Sequence, residues 1–492
     1  MERYLIGIDV GTTGTKSMVV SEDGRILGHA YRGYSINTPN IGFREQNPED
    51  WWNAVVETVR EAVGDEGNKV VGISLSAQGG TLVPVDENID PTYPAIVWSD
   101  QRATAQKEEI ESLLSAEYVY TTTGYKLSSG LNALQIKWIK DNCPEVFEKT
   151  KMFLSVPDFV SARMTGKALI DISDAGINLL ADIKNGVYDK KILGFSGIDE
   201  SQLADIVPSG TVIGKILPDV AKQLGINPDA VLVAGAHDQY AATLGAGVSG
   251  AGDIMIGTGT AWVITALLDA PDFSTGFSHA ISATGQWGCL TSMATGGVSL
   301  DWYLKKIMGA EDEKPDYAFV DKKAGEIEPG CNGLFFFPYF AGARFPLNDE
   351  KCKGTFVGLD LSHDKYHLAR AVMEGIVFQT AWMLESFNKI SPIRSLRLTG
   401  GASKSPFWVQ MVADVTGCSV RTPSVTDLTC VGAAVLAGVG SGVFASSEAG
   451  VKAVSMQEKI YNPIPENAAK YAGLFAEYKR IARTLSNVYS KS

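Results

Sequence analysis

Apolar runs separated by short polar turns open the chain, and this pattern predicts a β-meander. Strands are predicted over 4–9, 15–20 and 26–32, because each is a run of apolar and β-branched residues bounded by turns that contain glycine. The turns are short enough for neighbouring strands to run antiparallel. A helix is predicted to begin near Pro48, where proline and two acidic residues occupy the first turn. A strand over 70–75 follows, and strands then alternate with helices.

The strand–turn–strand pattern returns in the second half of the chain. The segment 253–264, DIMIGTGTAWVI, is predicted to form two strands around a Gly-Thr turn. Further on, a strand over 395–398 is followed by Gly400-Gly401-Ala402 and by a helix over 406–415. Because one plan occurs in each half, the sequence predicts two related lobes.

Length and composition agree with a large protein of two domains. The 492 residues are 45% hydrophobic and 20% charged, which is typical of a soluble globular protein with an extensive core. The stretch 245–252, GAGVSGAG, consists almost entirely of small residues and suits a hinge. We therefore predict one domain over 1–247 and a second over 248–492.

Charge and cysteine usage narrow the class of partner. The formal net charge of −13 argues against nucleic acid or an anionic membrane as a partner, since both need clustered Lys and Arg. A signal peptide is not expected, and no apolar run is long enough to span a bilayer. The six cysteines are dispersed without a CxxC pair, so we expect no disulfides and a cytoplasmic location.

The first turn carries the residue types most suited to chemistry. Asp9 ends a strand, Gly11-Thr12-Thr13-Gly14 turns the chain, and Lys16 follows. Backbone N–H groups, hydroxyls and an ammonium suit phosphate oxygens. The Asp9 carboxylate would repel phosphate unless a divalent cation lay between them. An ordinary hairpin turn is the alternative for this stretch alone. A second Gly-Thr turn at 257–260 favours phosphate, because two facing turns would clamp a polyphosphate from both sides.

Longer motifs carry a resemblance to a known family. One joins Gly354-Thr355-Phe356-Val357-Gly358-Leu359, seven further residues and HLARAVME at 367–374. Shorter ones are IGIDVGTTGTK at 6–16, EQNPEDWW at 45–52, WSDQR at 98–102, GAHDQYAATLGAG at 235–247, IGTGT at 256–260 and LTGGASKSPFW at 398–408. Together they resemble the FGGY carbohydrate kinases, and within that family the xylulokinase branch.

The resemblance implies an α/β fold of two ribonuclease H-like lobes of the actin-like ATPase superfamily, with ATP and a sugar meeting in an interlobe cleft. It assigns sugar binding to 1–247 and nucleotide binding to 248–492. It implies ATP and Mg²⁺ as cofactors and a sugar or polyol as the small-molecule partner. A homodimer is also typical of the family.

Asp238 is the residue predicted to act as catalytic base. It follows an apolar strand over 231–234 and opens a helix that begins near Gln239. Phosphoryl transfer needs a group that takes the proton of the acceptor hydroxyl, and an ionised aspartate at a helix N-terminus suits this role. The alternative is that Asp238 is only the N-cap of that helix. Asp9 resembles the acidic residue that lies near magnesium in the family.

The remaining cofactor residues are taken from the same motifs. Phosphate contacts are expected from one turn in each lobe, and adenine contacts from small residues after a later strand, with Ser405 nearby. For Ser405, plain strand-to-helix turn chemistry is an equal alternative. The expected phosphate set is Thr12, Thr13, Gly14, Lys16, Gly257, Thr258, Gly259 and Thr260, and the expected adenine set is Gly400, Gly401, Ala402 and Ser405.

The expected sugar-binding residues depart from the family pattern at one loop. Typical xylulokinases carry Met-His where this chain has Ala77-Gln78, and an amide suits neutral hydroxyls. The full expected set is Ala77, Gln78, Gly79, Trp98, Asp100, Arg102, Asp238 and Gln239. A core position is the alternative for Trp98, and a local ion pair is the alternative for Asp100 and Arg102.

The function that the sequence favours is phosphorylation of D-xylulose to D-xylulose 5-phosphate by ATP. Kinases for other ketoses or polyols, such as ribulose, erythritol or glycerol, are alternatives because Ala77-Gln78 leaves the sugar open. A nucleotide-dependent switch of the actin or chaperone ATPase type is a more distant alternative. It would share the Gly-Thr turns, but it would not need Asp238.

Overall fold

The computed structural model describes residues 2–310, 315–454 and 457–490. The strands are β1 Tyr4–Val10, β2 Gly14–Ser21, β3 Ile26–Gly33, β4 Glu45–Gln46, β5 Val70–Ala77, β6 Leu82–Val85, β7 Ala95–Ile96, β8 Met152–Ser155, β9 Leu169–Asp171, β10 Ala181–Asp182, β11 Val187–Tyr188, β12 Asp205–Val207, β13 Val212–Lys215, β14 Val231–His237, β15 Asp253–Thr258, β16 Trp262–Leu268, β17 Ser278–Ile281, β18 Trp287–Met293, β19 Phe335–Phe337, β20 Thr355–Val357, β21 Ser395–Gly400, β22 Val420–Pro423 and β23 Glu458–Tyr461.

The helices are α1 Pro48–Val63, α2 Thr104–Leu114, α3 Ala116–Thr123, α4 Asn132–Asn142, α5 Pro144–Lys149, α6 Val156–Thr165, α7 Ile172–Ile177, α8 Lys190–Ser196, α9 Pro218–Leu224, α10 Asp238–Gly245, α11 Gly297–Trp302, α12 Tyr317–Gly325, α13 Lys365–Ile390, α14 Pro406–Thr416, α15 Leu428–Gly440, α16 Ser447–Ala453 and α17 Pro465–Ser490. Short 3₁₀ turns occur at Gly64–Lys69, Glu200–Gln202, Phe273–Thr275, Cys331–Gly333 and Ala402–Lys404, and a π-turn at Tyr303–Ile307 continues α11.

Close contacts divide the chain into two compact units, each made of three segments. The first unit consists of Met1–Ser249, Asp269–Cys289 and Asp427–Ser455, and the second of Gly250–Leu268, Leu290–Thr426 and Met456–Ser492. The single boundary predicted after residue 247 does not anticipate that two later segments return to the first unit. The segment with α15 returns because this helix packs closely on β1.

The first unit is built on a six-stranded sheet in the order β13-β14-β5-β1-β2-β3. Strands β1, β2 and β3 are antiparallel, as the meander prediction required, while β5 is parallel to both β1 and β14. Helix α1 covers one face with Trp51, Val55 and Val59, which are fully buried against Ile6 and Ile8. It begins at Pro48 as predicted, with Asn47 as its N-cap.

Helix α15 packs on the other face of this sheet, at glycines. A Cβ on Gly7 of β1 would lie 1.9 Å from Cys430 O, so only glycine permits this approach. The contact between α10 and α15 is equally close, since a Cβ on Gly432 would lie 1.9 Å from Ala241 O. The start of α15 is thereby fixed near the ends of β1 and β2.

The second unit repeats the central part of this plan. Its strands run in the order β16-β15-β21-β22-β23. Strand β15 is antiparallel to β16 and parallel to β21, just as β1 is antiparallel to β2 and parallel to β5. The predicted echo of one supersecondary plan in the two halves is therefore present, and it places a Gly-Thr turn at the end of β1 and another at the end of β15.

Candidate active site

Asp9 lies at the end of β1 on the face of the sheet that α15 covers. Alternate strand residues share a face, and Leu5, on the same face as Asp9, packs against α15. Asp9 Oδ1 is buried and has no hydrogen-bond partner among the described residues. Burial, followed by the charge of Asp238, raises the pKa of Asp9 to about 7, and Asp427 adds to the rise while Lys16 opposes it. Negative charge is thus concentrated around an unpartnered carboxylate oxygen.

Lys16, which was predicted to face phosphate, is held by an ion pair. Its Nζ lies 2.8 Å from Asp427 Oδ1, and His29 Nε2 lies 3.1 Å from Asp427 Oδ2. Asp427 immediately precedes α15, so the helix determines where this carboxylate stands. Sequence reasoning missed Asp427 because no motif marks it and its partners lie at the opposite end of the chain.

The turn between β1 and β2 is held by side chains outside it. Gly11 N–H donates to Gly14 O at 3.1 Å, and the Tyr34 hydroxyl donates to Gly11 O at 2.6 Å. The Tyr31 hydroxyl donates to Thr13 O at 3.2 Å. Thr13 is exposed. The carbonyl groups of the turn are therefore occupied, and its shape is fixed without a ligand.

Gln78, which was predicted to contact a sugar, uses both ends of its amide inside the protein. Its Nε2 donates to Gln46 Oε1 at 2.9 Å, and its Oε1 accepts a hydrogen bond of 3.3 Å from the Thr81 hydroxyl. The residue is only 2% exposed. The side chain is consequently engaged by the protein on both sides.

The neighbours of Gln78 pack tightly. Ala77 is fully buried at the end of β5. A Cβ on Gly79 would lie 2.5 Å from the ring of His237, so glycine lets this loop approach the residue that precedes Asp238. The loop 77–79 thus lies against the start of α10.

Trp98 is 48% exposed, which argues against the core position considered for it. Its indole Nε1 donates to Thr12 Oγ1 at 3.2 Å, and its backbone N–H donates to Thr81 Oγ1 at 3.3 Å. The structure therefore brings a predicted sugar residue, Trp98, into contact with a predicted phosphate residue, Thr12.

Asp100 and Arg102 form the ion pair that the sequence left as an alternative. Arg102 Nη2 lies 2.8 Å from Asp100 Oδ2 and 2.9 Å from Glu45 Oε1, and both the Asp100 and the Arg102 side chains are fully buried. Asp100 Oδ2 also accepts a hydrogen bond of 2.6 Å from Arg44 N–H. A dissolved sugar cannot reach these atoms in this structure, so the geometry favours a role in fixing the loop that carries Trp98 over direct contact.

Asp238 is the first residue of α10, and the N-cap of this helix is His237, which makes no side-chain capping bond. The capping role considered for Asp238 is therefore not the one observed. Its side chain is 36% exposed, and Oδ1 lies 3.4 Å from His237 Nε2. Gln239, the next residue, is partly buried on the same helix turn. An accessible carboxylate at a helix N-terminus is suited to accept a proton.

A buried chain of hydrogen bonds positions the start of α10. The His237 N–H donates to Ser173 Oγ at 2.9 Å, and the Ser173 hydroxyl donates to Asp171. Burial raises the pKa of Asp171 and, with the help of the Asp171 charge, raises that of Asp174. These residues fix the position of the residue before Asp238, and they are not predictable from sequence because the segment 170–175, IDISDA, has no catalytic signature.

The second unit contains a cavity of about 560 Å³ at the end of β15 and β21. It brings together six of the eight second-lobe residues predicted to bind nucleotide. The other two, Gly257 and Gly400, directly precede lining residues in the chain. Its lining comprises Thr258, Gly259, Thr260, Trp262, Gly297, Leu300, Asp301, Tyr317, Ala318, Asp321, Gly401, Ala402, Lys404, Ser405 and Trp408.

Thr258 forms hydrogen bonds between the two turns that line this cavity, the turn after β15 and the turn after β21. Its hydroxyl donates to Thr399 O at 2.5 Å and accepts a hydrogen bond of 3.0 Å from Ala402 N–H. Gly401 N–H donates to Thr258 O at 2.9 Å. Gly400 has φ of +87°, and a Cβ there would lie 2.9 Å from Thr258 O, so glycine is required at this point. The turn after β15 and the turn after β21 are thus one rigid element.

Ser405 is the N-cap of α14, since its Oγ accepts a hydrogen bond of 3.0 Å from Trp408 N–H. The turn-chemistry alternative for this residue is therefore present in the structure, while Ser405 also lines the cavity. Burial raises the pKa of the neighbouring Asp321, and a hydrogen bond from Ser405 opposes the rise. Asp321 and the two tryptophans of the lining were not predicted, because no motif includes them as ligands.

Two features of the described residues concern membranes and metal ions. None of the helices there combines the length and apolar character needed to cross a membrane. Nor do three or more His, Cys, Asp or Glu side chains of residues 2–310, 315–454 and 457–490 come together as a metal-binding group. A metal ion at Asp9 would therefore depend on water and phosphate for its other ligands.

Comparison with known proteins identifies the family. Residues 4–245 match the N-terminal domain of the FGGY family of carbohydrate kinases, and residues 252–441 match its C-terminal domain. The chain belongs to the FGGY family of carbohydrate kinases. It is thus an ATP-dependent sugar phosphotransferase with the mixed α/β, two-domain fold of that family, which is consistent with the actin-like ATPase fold.

Similar members of this FGGY family differ in name. A gluconokinase of Bacillus subtilis (strain 168) is 29% identical, covering 100% of this chain and 98% of the relative. A xylulose kinase of Lactococcus lactis subsp. lactis (strain IL1403) is 31% identical, covering 99% and 97%. The crystal structure of a ligand-bound xylulose kinase from Lactobacillus acidophilus superposes with a TM-score of 0.91 at 27% identity, covering 99% of both chains. The family is established, and the sugar is left open.

Proposed function

We propose that this kinase transfers the γ-phosphate of Mg²⁺-bound ATP to a hydroxyl of a neutral ketose, with D-xylulose as the first candidate and D-xylulose 5-phosphate as its product. The observation that carries the proposal is the accessible Asp238 carboxylate at the N-terminus of α10. The preceding residue, His237, is held by a hydrogen bond from its N–H to Ser173 Oγ. At this point in the first unit a proton acceptor is held at a helix N-terminus and is open to solvent.

Asp238 would act as general base. The acceptor hydroxyl loses its proton as the oxygen attacks the γ-phosphorus, the bond from phosphorus to the bridging oxygen breaks, and ADP leaves. The Asp238 carboxylate, at the first position of α10 and partly exposed, would take that proton. Gln239, partly buried on the same turn, is the predicted neighbour of the sugar.

Asp9 fits a magnesium site. Its Oδ1 is buried without a hydrogen-bond partner among the described residues, and the charges of Asp238 and Asp427 act on it. A divalent cation would relieve this concentration of charge, and Mg²⁺ commonly binds through one or two carboxylates with water and phosphate as further ligands. When bound, Mg²⁺ would neutralise charge on the transferring phosphate, while Asp9 would hold it in place.

The nucleotide would bind in the second unit. The cavity of about 560 Å³ is large enough for a nucleoside, and it has tryptophan and small residues in its walls. We propose that the predicted set Gly257, Thr258, Gly259, Thr260, Gly400, Gly401, Ala402 and Ser405 serves ATP here, and that Thr12, Thr13, Gly14 and Lys16 serve the phosphates from the first unit.

A neutral substrate agrees best with the charges near Asp238. The charges of Asp238 and Asp427 both act on Asp9 in the first unit, and Lys16 is already paired with Asp427. The exposed indole of Trp98 offers an apolar face to sugar C–H groups. Gluconate is the second candidate, because a gluconokinase relative covers the whole chain. Its carboxylate would add negative charge to this region.

The decisive test is ADP release measured with D-xylulose, D-gluconate, D-ribulose, L-ribulose, erythritol and glycerol, with product identified by mass. We expect D-xylulose to give the highest kcat/KM. A higher kcat/KM for D-gluconate than for D-xylulose would show that the substrate is gluconate and not a ketose. Hydrolysis without any sugar that equals the best sugar rate would favour the nucleotide-switch alternative instead.

We also propose a cytoplasmic location. Cys143, Cys331, Cys352, Cys418 and Cys430 form no disulfide, which supports the cytoplasmic location predicted from sequence. The homodimer stays a prediction, which light scattering of the purified protein would test.

A further inference from the structure

A closed ring of hydrogen bonds joins the predicted sugar loop to the predicted phosphate turn. Gln78 Nε2 donates to Gln46 Oε1 at 2.9 Å, and Gln46 Nε2 donates to Thr12 O at 2.8 Å. On the other side, Thr81 donates to Gln78 Oε1 at 3.3 Å and accepts from Trp98 N–H at 3.3 Å. Trp98 Nε1 donates to Thr12 Oγ1 at 3.2 Å and completes the ring.

The direction of every bond in this ring follows from one backbone carbonyl. Thr12 O can only accept, so the NH₂ group of Gln46 must face it. Gln46 Oε1 then faces Gln78, whose own NH₂ group must donate, which leaves Gln78 Oε1 to accept from Thr81. The Thr81 hydroxyl is thereby used as a donor and receives the Trp98 N–H on its oxygen. The ring therefore has a single consistent arrangement.

The ring prepares Thr12 to bind phosphate. Its carbonyl accepts from Gln46 and its hydroxyl oxygen accepts from Trp98 Nε1, which leaves the hydroxyl proton to be donated to a ligand. Three of the other members are buried, since Gln46 is 1%, Gln78 2% and Thr81 0% exposed, while Trp98 is 48% exposed. The buried part of this network is stiff, because breaking one of its bonds leaves polar groups unpaired.

We propose that Gln78 and Gln46 are positioning residues. Their hydrogen bonds fix the predicted sugar loop, residues 77–79, relative to the predicted phosphate turn, residues 11–14. Gln78 then affects acceptor and donor binding together, by way of Gln46 and Thr12, and not by touching the sugar. The inference rests on the proposed function for the identity of the two ligands, but the ring itself is independent of the reaction. It replaces the direct sugar contact that the sequence favoured for Gln78.

Two conservative variants break the ring at different bonds. Gln46→Glu keeps an acceptor for Gln78 but loses the donor to Thr12 O, and Gln78→Glu keeps the acceptor for Thr81 but loses the donor to Gln46. Each change costs one or two buried hydrogen bonds, so we expect the KM for ATP to rise about fivefold to tenfold in both variants. In Gln78→Glu the KM for the sugar should rise as well.

A buried glutamine outside the ring provides the matched control. Gln106, in α2 of the same unit, is 7% exposed and donates to Asp141 at 3.1 Å. Gln106→Glu should lower the unfolding temperature without changing either KM. The double variant Gln46→Ala, Gln78→Ala should raise the KM for ATP no more than the worse of the single variants Gln46→Ala and Gln78→Ala, because both residues act on Thr12 through the same hydrogen bonds.

Hydrogen–deuterium exchange of the peptide that contains residues 11–16 measures the ring without the reaction. We expect this peptide to exchange about tenfold faster in Gln46→Glu and in Gln78→Glu than in the parent or in Gln106→Glu. If Gln78→Glu changes only the sugar KM, and exchange and the ATP KM stay the same, the coupling is refuted and Gln78 contacts the sugar. If no sugar in the panel is phosphorylated, the proposed function fails, and the exchange result still decides whether the ring holds the turn.

Discussion

The two Gly-Thr turns stand on the same strand plan but are held in different ways. In the first unit Val10 ends β1 opposite Ala77 of β5, and in the second Thr258 ends β15 opposite Gly400 of β21. The second turn is held mainly through backbone N–H groups, which Gly401 contributes directly. The first turn is held by side chains that come from three separate stretches of the chain.

The turns also differ in charge. One residue before the strand end, the first unit has Asp9 and the second has Gly257. The unpartnered carboxylate therefore occurs in one copy of the plan only, while the other copy is small and uncharged at this place. We infer that the repeated plan supplies two rigid turns, and that metal and acceptor chemistry was built on the first and nucleoside binding on the second.

Among changes to the two turns, the largest effect is expected when the carboxylate beside the first turn is removed, because the second turn has no charge at the equivalent position. Asp9→Asn should lower kcat by about a hundredfold or more and raise the Mg²⁺ concentration needed for half-maximal activity, since a metal-holding carboxylate is lost. The measurement is kcat against Mg²⁺ concentration. An Asn variant with parental kcat and the same Mg²⁺ requirement would contradict the assignment of Asp9.

The same variant has a signature in stability. The pKa of Asp9 is raised from 3.8 to about 7, so the folded state binds more protons than the unfolded state between these values. Without metal, the stability of the parent should therefore fall as pH rises from about 4 to about 7. Asp9→Asn lacks this titration and should lose less stability over that range in EDTA. A parent and variant with parallel pH profiles would show that Asp9 is not the group responsible.

A smaller effect is expected from loosening the second turn. Thr258→Val removes a hydroxyl that makes two hydrogen bonds, so the KM for ATP should rise about tenfold, with a loss of about 1–3 kcal/mol in stability. The KM for the sugar should change less than about twofold. Thr265 provides the control, because its buried hydroxyl has no partner within the described part of the chain. Thr265→Val should leave both KM values and stability near the parent, and an equal effect from both variants would refute the role of Thr258.

The smallest effect is expected from releasing Lys16. Asp427→Asn weakens an ion pair that is partly open to solvent, and such pairs contribute about 1 kcal/mol or less. We expect the KM for ATP to change by about threefold at low salt and less at high salt. A change larger than that of Thr258→Val would reverse the ranking of the two turns.

Much of the strand plan could be predicted from sequence, because hydrophobic period and turn glycines are local signals. The strands predicted over 4–9 and 15–20 are Tyr4–Val10 and Gly14–Ser21, and the helix predicted from Pro48 begins there. The start of α10 was placed within one residue, at Asp238. These features depend on neighbours in the chain.

The contacts that sequence could not predict join residues that are far apart in the chain. Gln46 lies in a motif, but its contacts with Thr12 and Gln78 exist only once β1, β4 and β5 are brought together. Asp427 reaches Lys16 because glycines let α15 pack on β1. Gln78 was assigned to the sugar because an amide suits hydroxyls, and sequence could not show that its amide is already engaged.

The central claim is that Asp238 takes the proton of the acceptor, and Asp238→Asn tests it most directly. The substitution keeps the shape of the side chain and removes its basicity, while the helix keeps its N-cap, so the unfolding temperature should stay near that of the parent. With bound ATP and sugar confirmed by calorimetry, we expect kcat to fall by about a thousandfold. A folded Asp238→Asn enzyme that phosphorylates its sugar at the parental rate would contradict the account.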